Sequence, residues 1–289
     1  MPSIYDIADE STPANILKKY IGKMEETTNR NVILYYSAWL NHNVSGTEIN
    51  DIDKNAFMSV VHGLETDKGL DLFLHTPGGS VSATESIIDY LYEIFEGNIR
   101  AVIPQLAMSG GTMIACSCKE IIMGKQSSLG PIDPQIMGLP AQGIIGEFER
   151  AKKEIDENPS NVAVWQPILA KYHPTLISSC DHAVQWSNEI LVESLKRCMF
   201  ENDPKADEKI GKIKDCLGSH KNTKAHDRHI NHNKCEKIGL KIKMMEENDS
   251  LQDNILSVHH ACLNLMNEQP VSKVIMNNIG KAFVQQVVK

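Results

Sequence analysis

Two glycine pairs, each standing between an apolar run and a helical pattern, constrain the fold of this chain more than any other feature. The first, Gly78-Gly79, follows Leu70–His75, and the second, Gly110-Gly111, follows Ile99–Ile103. Short apolar runs that end in glycine are typical of buried strands, and their alternation with helical patterns is typical of a parallel sheet. The sequence therefore predicts an α/β protein in which both glycine pairs lie where a strand ends and a helix begins.

The order of these patterns along the 289 residues predicts one large domain with a short extension. Residues 1–28 are polar with one short helical pattern, and we expect them to form an N-terminal arm. Residues 29–289 are expected to form the main domain. Within it, 201–233 is a polar, histidine-rich stretch with little periodicity, interpreted as an excursion. Residues 234–289 are interpreted as C-terminal helices, with a closing strand over 274–288.

The charge balance and the cysteine content argue against several kinds of partner and location. The 29 Lys and Arg against 37 Asp and Glu leave a net charge of −8, which offers no basic surface to nucleic acid. No apolar run approaches the roughly 20 residues that span a bilayer, and the first residues lack the pattern of a secretion signal. Seven cysteines without framework spacing fit reduced thiols, so we expect a cytoplasmic protein with no membrane span.

The turn after Ile99–Ile103 carries a candidate nucleophile. Ser109 stands on this strand-to-helix turn, where a hydroxyl points outward beside the first amides of the helix. Gly78 and Gly79, at the end of a neighbouring strand, could supply a second backbone N–H at the same place. Two such donors around one carbonyl oxygen are what acyl transfer needs. The alternative is that both glycine pairs are ordinary turns of an α/β protein.

Several longer stretches resemble one known family. They are Arg30-Asn31-Val32-Ile33, His75-Thr76-Pro77-Gly78-Gly79, Ala107-Met108-Ser109-Gly110-Gly111-Thr112, Leu129-Gly130-Pro131-Ile132-Asp133-Pro134-Gln135 and His226-Asp227-Arg228-His229-Ile230. On these motifs the chain resembles the serine dehydrogenase proteinase family, relatives of signal peptide peptidase A within the Clp-protease/crotonase fold. The resemblance runs from about residue 30 towards the end of the chain.

The resemblance implies both a fold and a site. The fold is a Clp-protease/crotonase-like arrangement of stacked ββα units with a helical C-terminal part. In the site, Ser109 is the nucleophile, and the backbone N–H groups of Gly78 or Gly79 and of Gly110 form the oxyanion hole. Proteins of this fold assemble into rings, so a homo-oligomer that acts on a peptide or protein substrate is expected, and the mechanism needs no cofactor.

The general base is less well defined by the sequence. Where the Clp proteases carry a histidine after the serine, this chain has Asp133, interpreted as a rigid turn with a catalytic role as the alternative. The signal-peptide branch uses a lysine, which must lose its charge among apolar neighbours. Lys152 is the preferred candidate, because helical spacing places it beside Phe148, Ala151 and Ile155. Lys171 is the second candidate, and Lys153 fits a surface ion pair better.

A group of histidines and cysteines late in the chain offers a different chemistry. It comprises Cys216, His220, His226, His229, His232 and Cys235. Such residues suit zinc, but no closely spaced cysteine pair opens the set, so no metal site is predicted. His226 and His229 are alternatives as a remote base for Ser109.

Three functions are compatible with these observations. The preferred one is a cytosolic serine peptidase that forms an acyl-enzyme on Ser109, with a lysine as base. One alternative is a catalytically silent oligomeric scaffold of the same fold. The other is a crotonase-like enzyme that acts on an acyl-CoA thioester, in which the same amides hold an enolate oxygen.

Overall fold

A computed structural model describes residues 12–41 and 44–287 of the chain. Its strands lie in three sheets. They are β1 (Asn31–Ser37), β2 (Leu70–His75), β3 (Ile99–Ile103), β4 (Leu106–Ala107), β5 (Glu120–Met123), β6 (Ser128–Leu129), β7 (Gln135–Ile136), β8 (Leu139–Pro140), β9 (Ile230–Asn231), β10 (Ile242–Met244), β11 (Val271–Asn277) and β12 (Ala282–Gln286).

The helices alternate with these strands over the first half of the chain and dominate the second half. They are α1 (Pro13–Thr28), α2 (Asp51–Val61), α3 (Val81–Phe95), α4 (Gly110–Cys116), α5 (Ala141–Glu157), α6 (Val162–Leu169), α7 (Leu176–Ser194), α8 (Ala206–Leu217), α9 (His220–Thr223), α10 (His232–Lys237) and α11 (Asp249–Glu268). A π-helical turn over Leu195–Met199 continues α7.

The main sheet has seven strands in the order β10-β5-β3-β2-β1-β11-β12. The five strands from β10 to β1 are parallel, whereas β11 and β12 form an antiparallel hairpin against β1. A small second sheet has the order β4-β6-β9, with β4 and β6 parallel and β9 antiparallel to β6. Because β2 and β3 are parallel neighbours, the loops that follow them meet at the same edge of the main sheet.

The main sheet is covered on both faces, because successive side chains of a strand point to opposite sides. In β1, Ile33 and Tyr35 join a core that includes α2, α3 and α4. Val32, Leu34 and Tyr36 join the opposite core, which includes α1 and α11. The near-continuous apolar runs of the sequence therefore mark strands that are buried on both sides. A third, smaller cluster packs α5 on α7.

Two buried ionic contacts stabilise the main sheet. Asp71 on β2 is fully buried and accepts hydrogen bonds from Arg30 at 2.9 Å and from Arg100 at 2.7 Å. Lys273 on β11 is also fully buried, and its Nζ donates to both carboxylate oxygens of Asp53 on α2 at 2.8 and 2.9 Å. Burial lowers the pKa of Lys273, and the charge of Asp53 opposes that shift.

A group of aromatic and histidine side chains lies under α11. His259 is buried, and its Nδ1 is 3.2 Å from the Tyr36 hydroxyl. The ring of His75 lies 5.7 Å from that of His259. Burial, together with repulsion from His75 and His260, lowers the pKa of His259 to about 4. The imidazole is therefore neutral in the folded protein near pH 7.

The structure confirms the predicted α/β class and differs from the predicted content of two segments. The segment 201–233, interpreted as an excursion, contains α8, whose Ile210, Ile213 and Leu217 are buried in the main core. The segment 234–289, interpreted as C-terminal helices, also contributes β10, β11 and β12 to the main sheet. In 201–233 the apolar residues are few and widely spaced, so the pattern of α8 is weak.

The predicted N-terminal arm, 1–28, lies partly outside the described residues. Its described part contains α1, whose Leu17, Ile21 and Met24 are buried against the sheet and α11. The division of the chain at residue 28 stays a prediction. Within 12–41 and 44–287, no helix has the length and apolar character that a membrane crossing requires.

Candidate functional site

The loops after β2 and β3 run side by side at the edge of the main sheet. Thr76 and Ala107 form an isolated parallel bridge. The amide of Met108 donates to the Thr76 carbonyl at 2.9 Å, and the amide of Thr76 donates to the Leu106 carbonyl at 3.2 Å. These two bonds place Gly78 next to the turn that carries Ser109.

Ser109 has a backbone conformation that non-glycine residues rarely adopt. Its φ is 49° and its ψ is −114°, and it is the N-cap of α4 without a side-chain capping bond. Such a conformation at a strand-to-helix turn is strained, and strain of this kind clusters at functional sites. The hydroxyl is not used in capping. The residue is half-buried, so solvent can reach it.

Gly78 allows the two loops to approach each other closely. A Cβ added at Gly78 would lie 2.6 Å from the Ser109 Cβ and 2.8 Å from the Gly110 nitrogen. Its φ of 96° also lies in the left-handed region that favours glycine. No other residue type fits at this position without moving the serine.

Two backbone N–H groups beside Ser109 remain available to a ligand. The amide of Gly78 donates to the Thr76 hydroxyl at 3.2 Å. By contrast, the amides of Gly79 and Gly110 have no hydrogen-bond partner in the part of the chain that the structure describes. A Cβ added at Gly110 would lie 3.6 Å from the Gly79 nitrogen, so the two free amides are close together. They can donate together to one oxygen atom.

The segment before α2 holds Gly79 in place. The Ile49 amide donates to the Gly78 carbonyl at 2.7 Å, and the Ser80 amide donates to the Ile49 carbonyl at 2.9 Å. A Cβ added at Gly79 would collide with the backbone of Ile49. These contacts leave the Gly79 amide as the unpaired group of the loop.

Thr112 connects the serine turn to the small sheet. Its hydroxyl lies 2.9 Å from the carbonyls of Ala107 and Gly130, and it accepts a hydrogen bond from the Gly130 amide at 3.0 Å. A Cβ added at Gly130 would lie 3.1 Å from the Met108 Cα. The residues after β6 therefore pack directly against the residue that precedes Ser109.

Asp133 lies three residues beyond Gly130 and binds two histidines. Its carboxylate is fully buried and lies 2.9 Å from Nδ1 of His226 and 3.3 Å from Nδ1 of His220. The side chains of the histidines are 31% and 27% exposed, respectively. The structure thus contains a buried carboxylate with two imidazoles that solvent can reach.

The lysines predicted as bases lie on the surface of the α5–α6 region. Lys152 is exposed and shares a shallow cleft with Glu149, Asp156 and Glu157. Lys171 is exposed as well. Lys153 pairs with Glu157 at 3.9 Å, the surface ion pair that the spacing predicted. The apolar surroundings that would remove the charge of a lysine are absent around Lys152 among the described residues.

The histidines and cysteines of 216–235 do not gather around one point. Within the described residues, no group of three or more His, Cys, Asp and Glu side chains is placed to hold a metal ion. Cys235 is buried and donates to the Ile230 carbonyl at 3.4 Å, and burial raises the pKa of its thiol to about 12. Cys235 therefore stays protonated and packs as a small apolar residue.

The structure brings together Ser109, Gly78, Gly79 and Gly110, and Lys152 lines an exposed cleft on α5 with neighbouring acidic residues. Sequence reasoning did not single out Ile49 or Thr112. It considered Asp133 and His226 separately and missed their contact. The only signal was Asp133 itself, at the position where the Clp proteases have a histidine.

A family model and two relatives match parts of this chain. The sequence model of a family described as ClpP-like SDH-type serine proteinase matches residues 47–252, which include every residue of the Ser109 site. An uncharacterized protein of Methanocaldococcus jannaschii is 30% identical over 190 residues, 66% of this chain and 57% of its own length. A second uncharacterized protein of that organism is 38% identical over 98 residues, 34% of each chain. The matches thus span just over half of one relative and about a third of the other.

Proposed function

Because this chain belongs to the ClpP-like SDH-type family of serine proteinases, we propose that it is a serine peptidase that forms an acyl-enzyme on Ser109. The observation that supports this most directly is the close approach of Ser109 to the free amides of Gly79 and Gly110. Gly78 contributes space rather than a donor, since its amide is bonded to Thr76.

The proposed reaction has two steps. The Ser109 oxygen forms a bond to the carbonyl carbon of the peptide, and the C–N bond breaks when the amine leaves with a proton. Water then attacks the acyl carbon and restores the serine. In both steps the carbonyl oxygen gains negative charge, which the two amides stabilise by about 2.7–4 kcal/mol per donor in characterised enzymes.

The base that accepts the serine proton is a separate question. Lys152 was predicted from the sequence, and Lys171 was the second candidate. Both are exposed, where an ammonium is strongly hydrated. The assignment of Ser109 as nucleophile does not depend on either lysine, and the role of Lys152 stays a prediction that a variant can test.

We infer three further properties from the same observations. The substrate is a peptide or protein, as the family description suggests, and the mechanism requires no cofactor. A homo-oligomer fits the exposed apolar side chains of Met137, Leu139 and Val164. A cytoplasmic location fits the seven cysteines, all of which lie among the described residues and are unpaired.

The test is covalent labelling with a fluorophosphonate probe, followed by intact mass. We expect one probe on the unaltered protein and none on Ser109→Ala. Ser178→Ala is the matched control, because Ser178 is exposed on α7, and it should label normally. Labelling that persists in Ser109→Ala would contradict the proposal. A folded protein that never labels would favour the oligomeric scaffold, and then the acyl-CoA enzyme.

A further inference from the structure

The contact between Asp133 and His226 fixes which ring nitrogen of His226 carries the proton. A carboxylate only accepts hydrogen bonds, so the Nδ1 atom that lies 2.9 Å from Asp133 carries the proton. The Nε2 atom is then an acceptor, and it has no hydrogen-bond partner in the part of the chain that the structure describes. An imidazole oriented by a buried carboxylate, with its second nitrogen free, is the arrangement that general-base catalysis uses.

The small sheet places this histidine at the same end of the fold as Ser109. β6 lies between β4, which leads into Ser109, and β9, which follows His226. The pairs Ala107 with Leu129 and Leu129 with Ile230 set the register on the two sides of β6. Beyond these pairs, Gly130 packs against Met108, the residue before Ser109, and Asp133 contacts His226.

The spacing of strands gives the distance between β4, which leads into Ser109, and β9, which follows His226. Neighbouring strands lie about 4.8 Å apart, so the backbones on either side of β6 are about 10 Å apart. Two side chains can cover most of this distance, and one water molecule can complete it. His226 is 31% exposed, so a substrate and a water molecule can reach its ring.

From this geometry we propose that His226, oriented by Asp133, is the general base for Ser109, acting directly or through one water molecule. The proposal rests on the proposed peptidase function and assigns the base to a histidine rather than to Lys152. His220, at 3.3 Å from the same carboxylate, helps to hold Asp133 in place.

In the proposed reaction, His226 passes each proton that it accepts on to another group. As the Ser109 oxygen bonds to the carbonyl carbon, its proton moves to Nε2 of His226, and the imidazolium is stabilised by Asp133. The same proton is then given to the leaving amine as the C–N bond breaks. In the second step His226 takes a proton from the attacking water and returns it to Ser109.

The charged groups around His226 are few. Asp133 and His220 face it, whereas Arg228 is directed to the carbonyls of Asn222 and Thr223 at 2.9 and 3.1 Å. Asp133 is therefore the group that orients the Nδ1 side of the His226 ring.

The experiment measures the rate of fluorophosphonate labelling between pH 5 and pH 9. For the unaltered protein we expect the rate to rise with pH, because only a base that has lost its proton can accept the proton of Ser109. His226→Gln should lower the rate by about 10²-fold or more and remove this rise, and Asp133→Asn should also lower it. His182→Gln is the matched control, because His182 is an exposed histidine on α7 with no proposed role, and it should change the rate less than twofold.

A second variant separates a chemical role from a structural one. His226→Gly leaves a gap that is open to solvent, so added imidazole should restore labelling, which it cannot do if the residue only supports the fold. A His226→Gln protein that labels at the normal rate and pH profile would overturn the assignment, and loss in Lys152→Met alone would identify the lysine instead. Absence of labelling in the unaltered protein would instead refute the peptidase function itself and the base with it.

Discussion

At the scale of single residues, the candidate site depends on backbone positions more than on side chains. Ser109 adopts a φ of 49°, and Gly78 permits an approach that a Cβ would block. Both features belong to short turns, and the glycines and the serine that form each turn are neighbours in the sequence. This is why the serine and the glycines were predictable, whereas a contact between residues that are distant in the sequence was not.

The contact between Asp133 and His226 joins residues that are distant in the sequence. The two residues are 93 positions apart. They meet because β9 pairs with β6 in one particular register, and each of these strands has only two residues. A two-residue strand has no period that a sequence can show, so neither the small sheet nor the contact was predictable.

A prediction at this scale concerns His259, whose pKa is lowered to about 4 by burial. An unfolded histidine titrates near pH 6.5, so between about pH 6.5 and pH 4 the unfolded chain binds a proton that the folded protein does not. The contribution of His259 to the free energy of unfolding is therefore lost as the pH falls through this range, by up to about 3 kcal/mol.

Urea unfolding at several values from pH 4.5 to pH 7.5 tests this prediction. His259→Gln should flatten the dependence of the free energy of unfolding on pH. His260→Gln, which alters the exposed neighbour on α11, should leave most of the slope. A His259→Gln protein with the full slope would show that other groups cause the acid sensitivity.

At the scale of elements, one buried ion pair connects the last part of the sheet to the site. The Lys273 Nζ on β11 bonds Asp53 on α2 and also donates to the Glu48 carbonyl at 2.8 Å. Glu48 precedes Ile49, which holds the Gly78-Gly79 loop. The pair thus supports the position of the segment that holds the Gly78-Gly79 loop.

We predict that Lys273→Met lowers the free energy of unfolding by about 3–5 kcal/mol, because it leaves the buried Asp53 carboxylate without its partner. Lys125→Met, at an exposed position, should change it by less than about 0.5 kcal/mol. Urea unfolding monitored by circular dichroism measures both. Equal stability of the two variants would mean that Asp53 finds another partner or becomes protonated.

The elements themselves were predicted unevenly from the sequence. β2 and β3 have near-continuous apolar runs and were predicted to the residue. At the C-terminal end, one closing strand over 274–288 was predicted where the structure has β11 and β12, and β10 was not predicted, because it has only three residues. Their place in the sheet depends on pairing with distant strands, which local patterns do not encode.

At the scale of the whole molecule, α1 is part of the main domain's packing. Leu17, Ile21 and Met24 are fully buried against the face of the sheet that α11 also covers. The polar composition of residues 1–28 gave no sign of these contacts, because three buried side chains are too few to change the average character of the segment.

We predict that Leu17→Ala lowers the free energy of unfolding by about 2–5 kcal/mol, since it leaves a cavity in this core. Ile16→Ala is the matched control, because Ile16 precedes Leu17 on the same helix and is 37% exposed. It should cost less than about 1 kcal/mol. If both variants unfold at the same urea concentration, α1 does not contribute to the stability of the domain.

The position of β11 affects when the main sheet can be completed while the chain is being made. Lys273 is 220 residues beyond Asp53, and β11 is the antiparallel neighbour of β1. At about 5–20 residues per second, a ribosome needs roughly 10–40 s to connect the two. During that time Asp53 has no lysine partner, and the edge of β1 that β11 covers has no strand to pair with. Completion of the sheet thus waits for a strand that is made long after β1, and a chain that stops between the two leaves an unpaired strand edge at β1.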